Sequence, residues 1–271
     1  FSYQGSTSSS GGYFVLSQDV GHSKSVYDGT SSVAYSNWKY NYAVDSNNPG
    51  LAYSMFDIPH RVMVSVGYRT PRYAKGFMAT TVSLVYNGYV GQRYSLTMNE
   101  SYYDAEKKKT VYIDYNGDGW GGNSLLYIPT EDELQKMDFK TEEDRRKFDE
   151  WIEGDSYAKK QRGAYAMRNS NSAPWENRVD LHVAQDIFVL KDRGSKFQVT
   201  FDVTNFANML NKKWGTTYTA AYNVMPLQVI GSKKGEDGNY TNTYAYNSRN
   251  TITKNDVLSR WHAQIGFKYI F

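Results

Sequence analysis

The residues best suited to chemistry in this chain lie in one short acidic segment. Asp114, Asn116 and Asp118 occupy alternate positions, and Gly119 follows them directly. Calcium takes about six to eight hard oxygen ligands, and this spacing matches positions one, three, five and six of a calcium-binding loop. The backbone carbonyl of Trp120 is the next ligand in such a loop. The segment therefore predicts a calcium site, and calcium is the one cofactor that the sequence suggests.

The segment lacks one ligand, so two interpretations stay open. Position twelve of a calcium loop normally supplies a bidentate carboxylate, and here that position is Leu125. Glu131, Asp132 or another loop could complete the coordination shell. Alternatively, the segment is an Asx and glycine turn that orders the backbone without any metal.

No other segment of the sequence predicts a catalytic or metal-binding site. The chain has no cysteine and no nucleophile or metalloprotease motif. Its net charge of +3 is too small and too dispersed for a nucleic-acid-binding surface. Four histidines stand alone in the sequence: His22, His60, His182 and His262. These features indicate a protein that is not an enzyme and has no nucleic-acid partner.

The elements that position the acidic segment are predicted to be strands. Five segments alternate between apolar and polar residues with the period of two that β-strands have. They cover residues 61–69, 76–89, 178–190, 197–206 and 259–271, and residues 1–3 resemble the end of a sixth strand. No run of about 18 apolar residues is present, so no transmembrane helix is predicted. Because barrel strands carry their apolar residues in alternation, the predicted class is an all-β transmembrane antiparallel barrel.

The last strand supports the membrane interpretation. Its alternating run of about 11 residues begins at Trp261 and ends at Phe271, and aromatic residues at both ends match the girdles of a lipid-facing band. A soluble β-sandwich also alternates, but its apolar face packs against a second sheet. A secreted or surface sandwich, acting as an adhesin or a carbohydrate-binding module, is the alternative.

Strict alternation assigns each strand residue to a face. We predict that ten apolar residues face lipid: Val62, Val64, Val66, Leu181, Val183, Val199, Phe201, Ile265, Phe267 and Tyr269. We predict that four polar residues face the barrel lumen: Arg61, Asp180, Asp202 and Lys268.

The connections between the strands alternate in length. Residues 70–75 and 191–196 form short turns, whereas residues 4–59, 90–177 and 207–259 form long polar loops. If the last strand runs towards the periplasm, every short turn is periplasmic and every long loop is extracellular, as in bacterial outer-membrane barrels. The long loops are rich in Tyr and Trp, whose rings suit the capture of sugars or peptides, but no ligand-binding residue is assigned.

One helical stretch is predicted within these loops, over residues 130–153. Thr130 and Thr141 each begin a capping box. Phe148 and Ile152 share one helical face, so the second half of the stretch should pack against a neighbour.

The number of strands limits what the chain can form alone. Five or six strands are too few to close a barrel, because the smallest membrane barrels have about eight. Open edges would leave unpaired backbone groups in lipid. We therefore expect residues 1–271 to be the carboxy-terminal part of one larger barrel domain. An oligomeric barrel and a receptor made as two polypeptides are the alternatives.

Several motifs, in order along the chain, resemble TonB-dependent outer-membrane receptors of the bacteroidete type, whose members carry an amino-terminal carboxypeptidase-regulatory-like domain. Residues 202–215 are similar to the asparagine-rich motif of the penultimate strand. The other matching segments are 114–119 with 126–129, 161–169, 173–181 and the terminal strand. The resemblance covers most of the chain from about residue 57 onward.

This resemblance implies a plugged barrel of about 22 strands with long extracellular loops, in the cell outer membrane. Such a receptor imports a nutrient when energy relayed through TonB displaces the plug. The implied partners are outer-membrane lipid, the rest of the barrel and the plug, the TonB complex acting through the plug, and, as a further candidate, a surface lipoprotein. Phe271 is implied to be the assembly signal. The plug domain has no counterpart in residues 1–271, and the substrate is not indicated.

Overall fold

The computed structural model describes residues 2–4, 10–189, 195–221, 223–236, 238–248 and 252–271. The protein is 45% strand and 15% helix with antiparallel sheets, which confirms the all-β class. Within the described residues, no helix combines the length and the apolar character needed to cross a membrane.

Seven strands form the largest sheet, and strands that follow one another along the chain lie side by side. Every pairing in this sheet is antiparallel. The strands are β1 (Ser2–Gln4), β2 (Gly11–Val20), β3 (His60–Arg69), β4 (Met78–Tyr89), β5 (Glu176–Phe188), β6 (Lys196–Thr204) and β7 (His262–Ile270). In the described part of the chain β1 and β7 do not pair with each other, so the sheet is open rather than a closed barrel.

The five predicted strands all occur, with ends shifted by a few residues, and the predicted sixth is β1. Strand β6 ends at Thr204 rather than at residue 206, because Asn205 adopts a left-handed conformation with φ 56° and a short helix follows it. Phe1, Leu190 at the end of the predicted strand 178–190, and residues 191–194 of the predicted second turn lie outside the described residues.

The structure differs from the predicted unbroken loop over residues 4–59. Gly11–Val20 forms β2, which pairs with β3 along its whole length. Its alternation is weak, because the neighbouring apolar residues Tyr13 and Phe14 lie on opposite faces of the sheet. Pairing with β3 decides the conformation of this segment, and the loop begins only at Gly21.

Short connections join the strands at one end of the sheet, and long connections join them at the other end. Short connections join β1 to β2, β3 to β4 and β5 to β6. The long connections are the first loop (21–59), the second loop (90–175) and the third loop (205–261), which together are called the loop layer. Strand β2 adds one strand, and the connection before it is short in sequence, so the predicted separation of short and long connections holds.

The cross-strand registers divide the predicted strand residues between two faces. Leu181 stands opposite Leu84 and Val203, and Phe201 stands opposite Ile265. Directly opposite side chains of an antiparallel pair share a face, so all ten residues that were predicted to face lipid lie together. The four polar residues lie on the other face: Arg61, Asp180, Asp202 and Lys268.

Short elements give the loop layer its internal structure. Its helices are α1 (Ala34–Lys39), α2 (Glu131–Lys136), α3 (Glu142–Gly154) and α4 (Phe206–Leu210), with 3-10 turns at Gly121–Asn123 and Ala158–Gln161. Its short strands are Lys24–Ser25, Ala52–Tyr53, Arg93–Leu96, Ser101–Asp104, Lys109–Tyr112, Tyr127–Ile128, Asp138–Phe139, Ala164–Tyr165, Asn171–Ser172, Tyr218–Thr219, Asn223–Val224, Leu227–Lys234, Tyr240–Tyr246 and Thr253–Lys254.

The predicted helical stretch is two helices, α2 and α3, separated by a short strand. Thr130 forms the predicted capping box: its hydroxyl accepts the Glu133 backbone N–H, and the Glu133 carboxylate accepts the Thr130 backbone N–H at 2.9 Å. Phe148 and Ile152 are fully buried, which confirms the predicted packing face.

The main apolar core of the described residues lies in the loop layer. Its largest fully buried side chains come from the second and third loops: Leu96, Leu126, Ile128, Leu134, Phe148, Ile152, Leu227 and Val229. The apolar face of the large sheet is open by comparison, since Phe267 is 81% exposed and Ile265 is 62% exposed. The loops therefore fold around a core of their own at one end of the sheet.

Candidate functional site in the loop layer

The acidic segment forms a tight turn that the Asp114 carboxylate closes. Its Oδ1 accepts the backbone N–H groups of Gly117 at 2.9 Å and Asp118 at 3.2 Å, and its Oδ2 accepts that of Gly119 at 2.8 Å. Gly117 and Gly119 have φ values of 71° and 83°, which glycine adopts without the strain that a side chain would add. The predicted Asx and glycine turn is therefore present.

The Asp118 carboxylate is the centre of a denser cluster. Its Oδ1 accepts the Trp120 backbone N–H at 2.7 Å. Its Oδ2 accepts the side-chain amides of Asn116 at 3.1 Å and Asn123 at 2.8 Å, and also the Ser46 hydroxyl. Burial raises the pKa of Asp118, but these hydrogen bonds outweigh burial and hold the pKa below its ordinary value. The carboxylate is therefore ionised at neutral pH.

The structure assembles the predicted metal ligands in part. Asn116 and Asp118 are in direct contact, and Asp114 belongs to the same turn. Leu125 is buried and supplies no carboxylate. Glu131 and Asp132, the predicted completing ligands, lie in the first turn of α2, where negative charge favours the helix. Within the described residues, no three His, Cys, Asp or Glu side chains form a group that could hold a metal.

Two residues of the cluster were missed in the sequence. Ser46 lies 72 residues before Asp118 and belongs to the first loop. Asn123 lies five residues after Asp118, in a 3-10 turn, and is fully buried. Nothing in the local sequence marks Ser46, because only the packing of one loop on another brings it to the turn. Asn123 lies so close to the motif that it could have been recognised from the sequence as a member of the cluster.

The same region joins the first loop to the second. The Ala43 backbone N–H donates to the Asn123 carbonyl at 3.1 Å. The Lys39 ammonium lies 3.7 Å from the centre of the Trp120 ring, a cation–π contact. Tyr40 meets the same ring edge-on, with 6.2 Å between ring centres. The acidic turn is therefore part of a seam between two loops.

Buried ion pairs hold a second part of this seam. Arg168 of the second loop donates to Asn41 Oδ1 at 2.6 Å and to Asp28 Oδ2 at 3.3 Å, both in the first loop. Arg93 donates to the Asp57 carboxylate at 2.6 Å and 3.1 Å. Removal of one partner of a buried pair leaves an uncompensated charge, so these contacts fix how the two loops meet.

Several cavities open in the described part of the loop layer, and two of them have linings that suit a small ligand. The first measures about 340 Å³ and is lined by polar and aromatic residues, among them Asp28, Asn37, Tyr40, Asn41 and Arg168. The second measures about 370 Å³ and is mainly apolar, with Met98, Tyr115, Tyr127, Tyr165, Leu227 and Tyr244 in its lining. Burial raises the pKa of Tyr115, so its hydroxyl stays protonated. Both linings suit capture of a sugar or peptide, without selecting between them.

Comparison of the chain with protein-family models, with curated proteins and with solved structures gives no match.

Proposed function

We propose that this chain is the carboxy-terminal part of a TonB-dependent outer-membrane transporter, a non-enzymatic importer of a nutrient. One observation carries most of the proposal, namely a sequential antiparallel sheet with one apolar and one polar face. Exposed apolar side chains lie on six consecutive strands of that sheet, for example Phe14, Val66, Val82, Ile187, Phe201 and Phe267.

An apolar face of this extent suits the acyl chains of a membrane. Soluble monomers rarely expose contiguous apolar patches above a few hundred Å². A two-layer soluble fold would cover such a face with a second sheet or with helices. In the described chain the other sheets have two or three short strands each and are made from the loops. Lipid is therefore the covering partner that we propose.

The polar face suits the interior of a barrel. The Asp186 side chain is almost completely buried and accepts hydrogen bonds from Arg69 at 2.5 Å, and from Lys196 and Gln198 at 2.8 Å each. His182 Nδ1 lies 2.5 Å from Asp202 Oδ1 on the same face. Charged groups of this kind are costly against lipid but ordinary in a water-filled or plugged lumen.

The open edges of the sheet support a larger closed structure. Strands β1 and β7 each lack a neighbour on one side within the described residues. Unpaired backbone groups are not tolerated in hydrocarbon, so further strands must complete the barrel. The resemblance supplies the proposed number of about 22 strands, the plug and the coupling of the plug to TonB.

The loop layer suits the substrate-facing, extracellular end of such a transporter. It has its own apolar core, paired buried charges and cavities of ligand size. An ordered surface of this kind can capture a nutrient or seat a surface lipoprotein. A soluble sandwich that acts as an adhesin or carbohydrate-binding module is the weaker candidate, because its apolar face would need a cover.

Single cysteines test the proposal, and the chain permits them because it contains no other cysteine. Gln264 and Ile265 are neighbours on β7, point to opposite faces, and are both exposed. With the whole protein in the outer membrane, a membrane-impermeant thiol reagent should modify Gln264→Cys and leave Ile265→Cys unmodified. The reason is that lipid shields only the apolar face.

A second pair on the same strand provides the control. Lys268→Cys should behave as Gln264→Cys does, and Phe267→Cys as Ile265→Cys does. All four variants should react after denaturation, which excludes poor intrinsic reactivity. Equal modification of Gln264→Cys and Ile265→Cys in the membrane would refute the barrel and favour the soluble alternative.

A further inference from the structure

The mainly apolar cavity of the loop layer combines aromatic walls with one charged residue. Its volume of about 370 Å³ lies in the range of small-molecule sites. Four tyrosines and two methionines contribute to its lining, namely Tyr115, Tyr127, Tyr165, Tyr244, Met98 and Met137. Among the lining residues that the structure describes, Glu133 is the charged one. The cavity therefore offers aromatic and thioether surface together with a negative charge.

Two of the tyrosine rings meet at a corner. The ring centres of Tyr127 and Tyr165 are 5.1 Å apart, and the ring planes are inclined by 66°. The Tyr127 hydroxyl donates to both Glu133 carboxylate oxygens at 3.0 Å each, which fixes the ring and adds electron density to it. The face of a tyrosine ring attracts a cation electrostatically, so this corner suits a positively charged group.

Glu133 supplies charge but few free acceptor positions. Its carboxylate accepts the Thr130 backbone N–H at 2.9 Å, the Thr130 hydroxyl at 3.0 Å and the Tyr127 hydroxyl. The Thr130 backbone and the Tyr127 hydroxyl hold the pKa of Glu133 below its ordinary value, so the carboxylate is ionised at neutral pH. A primary ammonium would bring three N–H donors that need acceptors, whereas a fully methylated ammonium has none to satisfy.

The charges around the cavity do not cancel that of Glu133. Arg162 donates to the Pro129 carbonyl in the lining at 3.2 Å, but its guanidinium is ion-paired with Asp149 and Glu153. Lys136, in the last turn of α2, is not part of the lining. The first turn of α2 adds two further carboxylates beside that of Glu133. The surroundings therefore favour a cationic ligand over a neutral or anionic one.

We propose that this cavity binds the quaternary ammonium group of a small molecule, with Tyr127, Tyr165 and Glu133 as its recognition residues. Aromatic rings alone would also suit a sugar. However, the described lining contains no Asn, Gln, Asp, Arg or His side chain that could pair with sugar hydroxyls. Methyl groups of the ligand would instead pack against the methionine thioethers and the tyrosine rings.

This site would name the substrate class of the importer, and in that respect it rests on the proposed function. Quaternary ammonium compounds are permanently charged, so the attraction of Glu133 would persist at every pH at which its carboxylate is ionised. Binding itself depends only on the loop layer, which has its own apolar core. Binding and transport can therefore be tested separately.

Titration calorimetry with choline and with 3,3-dimethyl-1-butanol tests the site in the whole protein. The two compounds have almost the same shape, but only choline is charged. A maltoside detergent is needed, because phosphocholine detergents would compete. Choline should bind at least about tenfold more tightly than the alcohol. Equal affinity for the two compounds, or no choline binding below about 10 mM, would overturn the proposal.

Two variants locate the binding. Tyr165→Leu removes an exposed ring and should weaken choline binding about three- to fivefold, whereas Tyr165→Phe keeps the ring and should stay within about twofold. Glu133→Gln removes the charge but can still complete the capping box of α2. It should weaken choline binding at least about threefold and leave the alcohol unaffected. Unchanged choline affinity in Tyr165→Leu and Glu133→Gln would overturn the proposed site.

Tyr103→Leu is the matched control. Tyr103 is 64% exposed in the same loop but does not line the cavity, so its replacement should leave choline affinity within about twofold. Equal weakening in Tyr103→Leu and Tyr165→Leu would contradict a specific site.

The thiol-labelling experiment separates failure of this site from failure of the transporter. Face-specific labelling without choline binding would remove the substrate class and leave the transporter. Selective choline binding with equal modification of Gln264→Cys and Ile265→Cys would support the site and refute the transporter.

Discussion

At the scale of single residues, the buried charges of the loop layer are satisfied across loops rather than within them. Asp57 accepts two hydrogen bonds from Arg93, a residue 36 positions later, and one from the Ser23 backbone at 2.5 Å. Burial raises the pKa of Asp57, but these hydrogen bonds and the one with His22 lower it by more. The pKa of Asp57 therefore lies below its ordinary value. The charge state of Asp57 is therefore coupled to the docking of the first loop on the second.

This coupling predicts a loss of loop-layer stability in acid. A carboxyl whose pKa is lowered on folding stabilises the fold above its unfolded pKa, about 3.9 for Asp, and loses that contribution as pH falls through its folded pKa. Urea unfolding followed by tryptophan fluorescence should therefore show a free energy of unfolding that is steady from about pH 7 to 5 and falls below about pH 4.

Asp57→Asn is the control for this pH dependence. The variant cannot ionise at that position, so its free energy of unfolding should be lower at neutral pH and should fall less steeply in acid. The same acid dependence in Asp57→Asn and in the unmodified chain would show that other carboxyls are responsible.

At the scale of elements, short helices with defined caps support the core of the loop layer. Helix α2 starts at a complete capping box, and Leu134 on its inner side is fully buried. Helix α3 buries Phe148 and Ile152 against the strand Asp138–Phe139 and its neighbours. A helix as short as α2 has little stability of its own, so its cap and its packing must act together.

Thr130→Ala should destabilise the loop layer by about 1 kcal/mol, because the first turn of α2 loses its side-chain cap. Thr130→Ser keeps the hydroxyl and should remain close to the unmodified chain. Urea unfolding of the two variants measures the difference. Equal stability of Thr130→Ala and Thr130→Ser would show that packing alone holds α2.

At the scale of the whole molecule, the open sheet sets a limit on what the chain can do alone. The described strands leave two unpaired edges on a sheet with a largely apolar face. Such edges are not tolerated in hydrocarbon and invite pairing with other chains in water. The proposed function therefore requires additional strands.

Residues 1–271 produced alone should not form a stable closed barrel in detergent, because seven strands fall short of the about eight in the smallest membrane barrels. Electrophoresis with and without heating, combined with a mass measurement of the detergent complex, checks this. A folded, heat-modifiable monomer would contradict the expectation and favour a small independent barrel.

The faces of the strands and the local turns were predictable from sequence, because each depends on residues near one another in the chain. Period-two alternation assigned Val183 and Asp202 to opposite faces, and the registers agree. The spacing of Asp114 and its glycines predicted a turn, and the Thr130 motif predicted a helix start. In the turn and in the helix cap the hydrogen bonds span five residues or fewer.

Tertiary structure alone decided which distant segments meet. Strand β2 has too weak a pattern to be recognised, and it is ordered by the free edge of β3. Ser46 reaches Asp118 across 72 residues, and Arg168 reaches Asp28 across 140. Such contacts depend on how whole loops pack around a shared core, which no local spacing encodes. The turn is therefore predictable from the sequence, whereas the contacts that join it to the first loop form only when the loops pack together.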